Sequence, residues 1–487
     1  MHEAFEYALT RLDPVRGDHV DPPSVAIFET LLRKGPDGKP RPGLAESWTI
    51  VNEGRTWLLR IRPSARFHSG AACDARAVVQ ALEHCRWGDD WPRQVWYWDP
   101  VDSVEAVDSG TIAIHLHEPC ARLPILLWGT HTAIANPDPW LRLGDEFGVV
   151  SADATGPYRL VSYTPEQVIA ERVYPGSGPD LIAWHALASD ADRTACLQDP
   201  RMDIVRSVAV DHLPESWRGT RQHENGQFYL ALNFDDPRGF GDLDIRRCID
   251  AFIDRELLLA SALGGHGDAR RSPIPLADEF ASCYEPAAVP AWTATQARDR
   301  LIALGWRLDR MGIWYREQQR MSMPCIVQDT TAGRAIGAEV ARQLREAGIE
   351  LHMQPEPLFE PFYRAVAQGP AAFISKWLWP DAMEAIMGFS RANCIEPGGG
   401  NWQSARCPGV DACYDDFLAA DTPATLAQAS AAAQRAFMEH LPYLPLVSCT
   451  ESVAVRDRVS GFTLTPRTLY PSYEHVSLTR ESDATDR

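Results

Sequence analysis

One segment in the second half of the chain constrains the fold more than any other. Residues 323–327 and residues 349–353 are both strand-like. Between them, residues 332–347 carry apolar side chains at helical spacing, and Gly348 follows in the position of a helix C-cap. A strand, a helix and a second strand within about thirty residues predict a right-handed parallel crossover. The chain is therefore expected to contain an α/β domain.

The rest of the chain interleaves a two-residue period with a 3.6-residue period, as mixed α/β domains do. The alternation at 57–62 predicts a strand, and Asp74 is a suitable N-cap for a helix over 75–85. Further strands are predicted at 5–9, 104–108, 111–116 and 371–374. Further helices are predicted at 24–32, 123–127, 244–262, 294–304, 382–389 and 424–440.

Length and composition exclude some classes of protein. A chain of 487 residues is too long for one ordinary hydrophobic core, so two or three domains are expected. The net charge of −19 argues against a nucleic-acid partner, because nucleic-acid binding requires basic patches. No apolar run approaches the roughly 18–20 residues that a membrane-spanning helix requires.

A series of short motifs follows one another along the chain. It begins with residues 28–32, a Pro-Asp-Gly turn at 36–38 and the block 42–48. Later members of the series are 104–108, 111–116, Gly156-Pro157-Tyr158, 232–234, 244–247, 251–255, 264–267, 273–275, 444–446 and 459–462. In this order, and over nearly the whole chain, the motifs resemble the large solute-binding proteins of ABC importers (family 5), which serve importers of peptides, opines, nickel chelates and some sugars. The resemblance implies a protein that captures a ligand and performs no chemistry.

The resemblance also implies a fold and a domain organisation. The expected fold is α/β, the two-lobed periplasmic-binding-protein fold of type II, with mixed sheets flanked by helices and a hinge between the lobes. Lobe one is expected to comprise residues 1–233 and 449–487, with an additional subdomain at about 31–157, and lobe two residues 234–448. The chain would cross between the lobes twice, and the strand residues at these two crossings would absorb a closing motion of the lobes.

The segment from Lys376 to Asp381 is the sharpest candidate for a binding site. It follows a predicted strand, and open α/β folds bind ligands outside strand ends. Trp377 and Trp379 offer flat apolar faces for a cation or a sugar ring, and Asp381 offers a carboxylate for a cationic group. Relatives pair an acidic residue of this loop with the amino group of the ligand. The alternative is that Asp381 caps the following helix and that one tryptophan belongs to the core.

Two other segments complete the predicted site. Gly400-Asn401-Trp402 is similar to a turn that lines the ligand cleft in relatives, and Asn401 suits a zwitterion or a sugar hydroxyl because its amide both donates and accepts hydrogen bonds. Trp96 and Trp98 are the candidates on lobe one. The alternative for these two tryptophans is a division between core and surface, because neighbouring side chains alternate faces on a strand.

The sequence thus predicts a solute-binding protein. It would capture a short peptide, an opine-like conjugate or an oligosaccharide in an interlobe cleft by hinge closure, and deliver it to the membrane permease of an ABC importer. No catalytic residue, metal site or cofactor is predicted, because neither a nucleophile with its base nor a metal-ligand spacing is recognisable. A monomer without a nucleic-acid partner is expected. Two alternatives stay open: a cytoplasmic enzyme and a cytoplasmic ligand sensor built on the same fold.

The N-terminus and the cysteines bear on the compartment. Residues 1–4 lack the basic and apolar regions of an export signal. Since the resembled family is exported, a periplasmic or extracytoplasmic location is expected, with a cytoplasmic location as the alternative. Eleven scattered cysteines suit a reducing compartment. Relatives close a similar loop with a disulfide, which implies a Cys394–Cys413 bridge; a pairing through Cys407 and free thiols are the alternatives.

Overall fold

The computed structural model describes residues 1–6, 9, 11–15, 22–35, 38–87, 98–275, 283–284, 290–358, 360–378, 382–388, 400–464 and 473–479. The strands within these residues are β1 (His2–Phe5), β2 (Leu32–Lys34), β3 (Pro40–Pro42), β4 (Ala45–Val51), β5 (Thr56–Ile61), β6 (Val101–Ala106), β7 (Thr111–Leu116), β8 (Tyr158–Thr164), β9 (Gln167–Arg172), β10 (Leu181–Ala186), β11 (Ile204–Arg206), β12 (Trp217–Leu232), β13 (Gly267–Asp268), β14 (Arg307–Leu308), β15 (Trp314–Arg316), β16 (Gln319–Arg320), β17 (Ser322–Gln328), β18 (Glu350–Glu356), β19 (Ala372–Leu378), β20 (Leu444–Arg456), β21 (Val459–Ser460) and β22 (Ser477–Leu478). The α-helices are α1 (Pro22–Ile27), α2 (Ala75–Trp87), α3 (Leu123–Trp128), α4 (Pro137–Leu143), α5 (Asp190–Cys196), α6 (Leu243–Ala251), α7 (Arg255–Leu263), α8 (Ala294–Ala303), α9 (Thr331–Ala347), α10 (Glu360–Ala367), α11 (Ala382–Met387), α12 (Pro408–Asp411), α13 (Tyr414–Ala419) and α14 (Pro423–His440).

The chain forms two compact units. The first comprises Met1–Gln222 and Glu451–Arg487, and the second comprises His223–Thr450. The chain passes from one unit to the other within the long strands β12 and β20. The lobe boundaries predicted from the sequence, after residue 233 and before residue 449, stay predictions.

The first unit contains a mixed sheet and a separate antiparallel sheet. In the mixed sheet, β1 pairs in parallel with β10 and β11, and β9 joins β10 to β8 through antiparallel ladders. The separate sheet has the strand order β4-β5-β7-β6, and α2 packs against β6 and β7. Asp74 accepts a hydrogen bond from the backbone N–H of Ala77 at 2.9 Å, which confirms it as the cap of α2.

The second unit contains the predicted parallel crossover. Strands β17 and β18 pair in parallel, and α9 connects them. Gly348 ends α9 with a φ of +95°, a left-handed conformation that glycine adopts without steric cost. Strand β19 pairs in parallel with the other side of β17, and β12 pairs antiparallel with β19. The predicted strand, helix and parallel strand over residues 323–353 are confirmed.

Helices α9 and α10 cover opposite faces of this sheet. A Cβ atom on Gly337 of α9 would lie 3.3 Å from Val327 and 3.2 Å from Met353, so these side chains share the face under α9. The ring of Phe362 on α10 lies 6.5 Å from the ring of Phe373 on β19. Phe373 is paired with Ile326, the strand neighbour of Val327, and consecutive residues of a strand point to opposite faces. The chain therefore runs from β17 to β18 through α9 on one face of the sheet, and from β18 to β19 through α10 on the other face.

Three predicted elements differ from the structure near their ends. The first strand begins at His2 and ends at Phe5, whereas the sequence predicts it at 5–9, a range of which residues 7 and 8 lie outside the described residues. Its parallel pairing with β10 and β11 sets its position. The helix predicted at 24–32 ends at Ile27, because Leu32–Lys34 pairs with β3 instead. The strand predicted at 371–374 continues to Leu378, so that Lys376 and Trp377 lie in a strand rather than a loop.

The helix predicted at 244–262 consists of two helices, α6 and α7. Asp254 begins the second one, since its side chain accepts a hydrogen bond from the backbone N–H of Leu257 at 3.0 Å. The apolar period continues across this break, which is why the pattern alone predicts a single helix.

No helix in the described part of the chain is long and apolar enough to cross a membrane.

Candidate functional site

The candidate site lies in the second unit, where the parallel strands β17 and β19 end. Parallel strands have their carboxyl ends at the same edge of the sheet, and β17 is the strand at which the chain changes from one face to the other. Open α/β sheets bind ligands outside the carboxyl ends of strands at such a switch point. The topology alone therefore identifies this edge of the sheet as the candidate ligand-binding site.

One buried amide joins the two strand ends at this edge. The side chain of Gln328, the last residue of β17, is 3% exposed. Its Nε2 donates to the hydroxyl of Ser375 at 3.0 Å and to the carbonyl of Lys376 at 3.1 Å, while its Oε1 accepts from the backbone N–H of Lys376 at 2.9 Å. These bonds hold the end of β19 in register with the end of β17.

Four aromatic side chains form a wall on the face that α10 covers. Tyr363 lies 5.6 Å from Trp377 and stacks on Trp402 at 5.6 Å, measured between ring centroids. Trp402 also meets Trp377 at 6.3 Å and Phe373 at 6.2 Å, both edge to face. Trp377 and Trp402 keep part of their surface exposed, whereas Tyr363 and Phe373 are buried. A partly exposed pair of indoles suits a flat or apolar ligand group.

An ion pair occupies the opposite face of the same strand end. The ammonium of Lys376 donates to both carboxylate oxygens of Glu224, at 2.8 Å and 3.0 Å. The side chain of Glu224 is 14% exposed and that of Lys376 is 21% exposed. Gly226 lets β12 approach β19 closely, because a Cβ atom there would lie 2.3 Å from the carbonyl oxygen of Trp377. Neighbouring His223 has a buried Nδ1 without a hydrogen-bond partner among the described residues.

The structure brings Trp377 and Trp402, two of the seven predicted site residues, into contact. Three others, Trp96, Trp379 and Asp381, lie outside the described residues.

Asn401 and Trp98 are both buried. Asn401 is 1% exposed, and its amide donates to the carbonyl of Ala405 and accepts from the N–H of Ala405, both at 2.8 Å. Its side chain therefore closes its own turn and thereby positions Trp402. Trp98 is 7% exposed and belongs to the core of the first unit.

Sequence reasoning did not identify Glu224, Gln328 or Tyr363 as site residues, and it quoted Lys376 only as the start of a segment. One signal pointed to Lys376: the chain has only three lysines, at 34, 39 and 376, among 47 Lys and Arg residues. No comparable signal exists for the other three, because only the strand register and helix packing bring them to this edge.

The cysteines of the second predicted loop are free thiols where the structure describes them. Cys407 and Cys413 are free thiols, so Cys413 forms no disulfide in this structure, and Cys394 lies outside the described residues. Burial raises the pKa of the Cys407 thiol to about 11 and also raises the pKa of Cys413, so both are protonated at neutral pH. No group of three or more metal-ligating side chains occurs among the described residues.

Solved structures share this fold over almost the whole chain. The oligopeptide-binding protein AppA from Bacillus subtilis, in complex with a nonapeptide, has a TM-score of 0.84 at 17% identity, and the match covers 99% of each chain. NikZ from Campylobacter jejuni, in complex with Ni(L-His), has a TM-score of 0.80 at 16% identity, and the match covers 96% of this chain and 95% of NikZ. The fold is that of the type II periplasmic binding proteins, which confirms the predicted fold class.

Sequence comparison identifies the family. Residues 39–393 match the model of the bacterial extracellular solute-binding proteins, family 5 Middle. The chain belongs to this family, and the resemblance inferred from the ordered motifs is confirmed.

The curated relatives include glutathione-binding proteins. The glutathione-binding protein GsiB of Salmonella paratyphi A is 23% identical over 295 residues, which cover 57% of this chain and 56% of the relative. GsiB of Escherichia coli (strain K12) is 22% identical over 504 residues, which cover 96% of this chain and 92% of the relative. The match with the Salmonella protein thus spans little more than half of that relative's length.

Proposed function

We propose that this chain is the solute-binding component of an ABC importer and that it binds a small peptide-like solute. The observation that carries the proposal is the aromatic wall at the switch-point edge of the second unit, where Trp377 and Trp402 remain partly exposed. Relatives named for glutathione binding and a structural neighbour that holds a nonapeptide favour peptide-like solutes over sugars.

The other predicted site residues take the following roles in this proposal. Trp379 would offer a flat apolar face to the solute, and Asp381 would supply a carboxylate for a cationic group of the solute. Asn401 shapes the turn that carries Trp402. Trp96 and Trp98 stay candidates on the first unit. Trp98 would support the site by packing in the core and would not contact the solute.

The proposal includes the mode of action. The protein works outside the cytoplasm as a monomer, hands the solute unchanged to a membrane permease, and catalyses no reaction. Binding would shift the two units towards a closed state in which the solute contacts both, and strands β12 and β20, which carry the two chain crossings, would absorb the motion.

Two measurements test this function. Native mass spectrometry of the purified protein, followed by denaturation, should release a small solute, and calorimetric titration should show binding of glutathione or short peptides. We expect Trp377→Leu to weaken the affinity for the bound peptide by about tenfold or more, since it removes a partly buried aromatic contact. Trp87→Ala, on the exposed face of α2 in the first unit, is the matched control and should leave the affinity unchanged.

Three results would contradict the proposal. One is an absence of binding to glutathione and to every peptide tested. Another is an equal affinity of Trp377→Leu and the wild type. The third is conversion of an added solute into a product of different mass, which would support the enzyme alternative.

A further inference from the structure

We propose that Glu224 and Lys376 form a dipolar subsite that recognises an ammonium and a carboxylate carried by one carbon atom of the solute. Such a group is the free α-amino-acid end of a γ-linked peptide such as glutathione. An ordinary α-linked peptide carries its ammonium and its terminal carboxylate at opposite ends. The inference rests on the proposed function and names the end of the solute that this edge recognises.

The geometry of the pair carries this inference. Both carboxylate oxygens of Glu224 lie within 3.0 Å of the Lys376 ammonium, so one positive and one negative charge stand side by side at the end of β19. A solute group with the same two charges on one carbon can lie antiparallel to this dipole, with its ammonium at Glu224 and its carboxylate at Lys376. The ion pair does not need to break, because a carboxylate has acceptor positions beyond the two that Lys376 uses.

The burial of the pair makes it selective. With side chains only 14% and 21% exposed, both charges are largely desolvated but still reachable. A solute with a single charge would attract one member of the pair and repel the other. A zwitterionic group pairs with both charges. An unpaired solute charge next to a partly buried charge is strongly unfavourable, so the pair discriminates against it.

The residue type at position 376 agrees with this role. Lys376 is one of only three lysines in a chain that otherwise uses arginine. A lysine ammonium is a compact point charge, whereas a guanidinium is a broad planar fork, so a lysine fits a subsite for one small carboxylate beside a glutamate.

The experiment compares two isomers by calorimetry: glutathione, which is γ-linked, and the α-linked tripeptide Glu-Cys-Gly. The isomers have the same atoms and the same net charge, and they differ in whether the ammonium and a carboxylate share a carbon. We expect the wild type to bind glutathione at least about tenfold more tightly than the α-linked isomer. In Glu224→Gln this preference should disappear.

A charge exchange separates recognition from structural support. The double variant Glu224→Lys with Lys376→Glu keeps an ion pair between β12 and β19, so its melting temperature should stay near that of the wild type. Its dipole is reversed, and we expect at least a tenfold loss in glutathione affinity. The matched control is the exchange of another ion pair of the second unit, Asp244→Arg with Arg300→Asp between α6 and α8, which should leave the affinity unchanged.

The outcomes distinguish this inference from the proposed function. Equal binding of the two isomers, or full glutathione affinity in the charge-exchanged variant, would overturn the dipolar subsite while peptide binding stands. Failure of the wild type to bind glutathione, the α-linked isomer or any other peptide would overturn both.

Discussion

Gln328 shows how one side chain builds the candidate site at the residue scale. Its buried amide supplies the acceptor for the backbone N–H of Lys376. We expect Gln328→Met to lower the free energy of unfolding by about 1–3 kcal/mol, because that N–H loses its partner in a buried place. Urea denaturation measures the change. Gln354→Met, at an exposed position of β18, is the control, and an equal loss in both variants would contradict the role given to the Gln328 amide.

The break between α6 and α7 is a feature of the element scale. Asp254 caps α7 through its hydrogen bond to the N–H of Leu257. We expect Asp254→Ala to destabilise the protein by about 1 kcal/mol, since one N–H at the helix start loses its acceptor. Thermal or urea unfolding checks this value against Ser261→Ala, an exposed change within α7. Unchanged stability of Asp254→Ala would mean that tertiary packing alone separates the two helices.

At the scale of the whole molecule, mild acid should lower the stability of the first unit. Burial lowers the pKa of His2, His68 and His185, and all three lie in the first unit. Their folded-state pKa values lie below 6.5, so the unfolded chain binds protons more readily. The stability is complete above the unfolded pKa and falls as the pH drops through 6.5 towards the folded values.

Unfolding measured in urea at pH 7.5 and pH 5.5 tests this expectation. His68→Gln should reduce the loss of stability on acidification, because the neutral ring that donates to the carbonyl of Gly156 is replaced by an amide that does not titrate. His352→Gln, at an exposed position of β18 in the second unit, is the control and should keep the full pH dependence. The expectation fails if both variants respond to pH as the wild type does.

Local patterns in the sequence were sufficient for much of the fold. The crossover at 323–353 and the helix over 75–85 depend on side-chain period and on caps within a few residues of each element, and both are confirmed. The ordered motifs were sufficient to identify the family, because their series extends over nearly the whole chain. Elements whose limits depend on distant partners, such as β1 and the end of α1, were placed wrongly.

The sequence by itself was enough to predict the crossover, to identify the family and to select the region around Trp377 as the candidate site. Only the tertiary structure decided which side chains share the candidate site. Glu224 and Lys376 are 152 positions apart, and their contact exists because β12 runs antiparallel to β19 in one particular register. A local pattern records the period of one strand but not the register of its partner. Pairing over such distances depends on packing and hydrogen bonding in the folded chain.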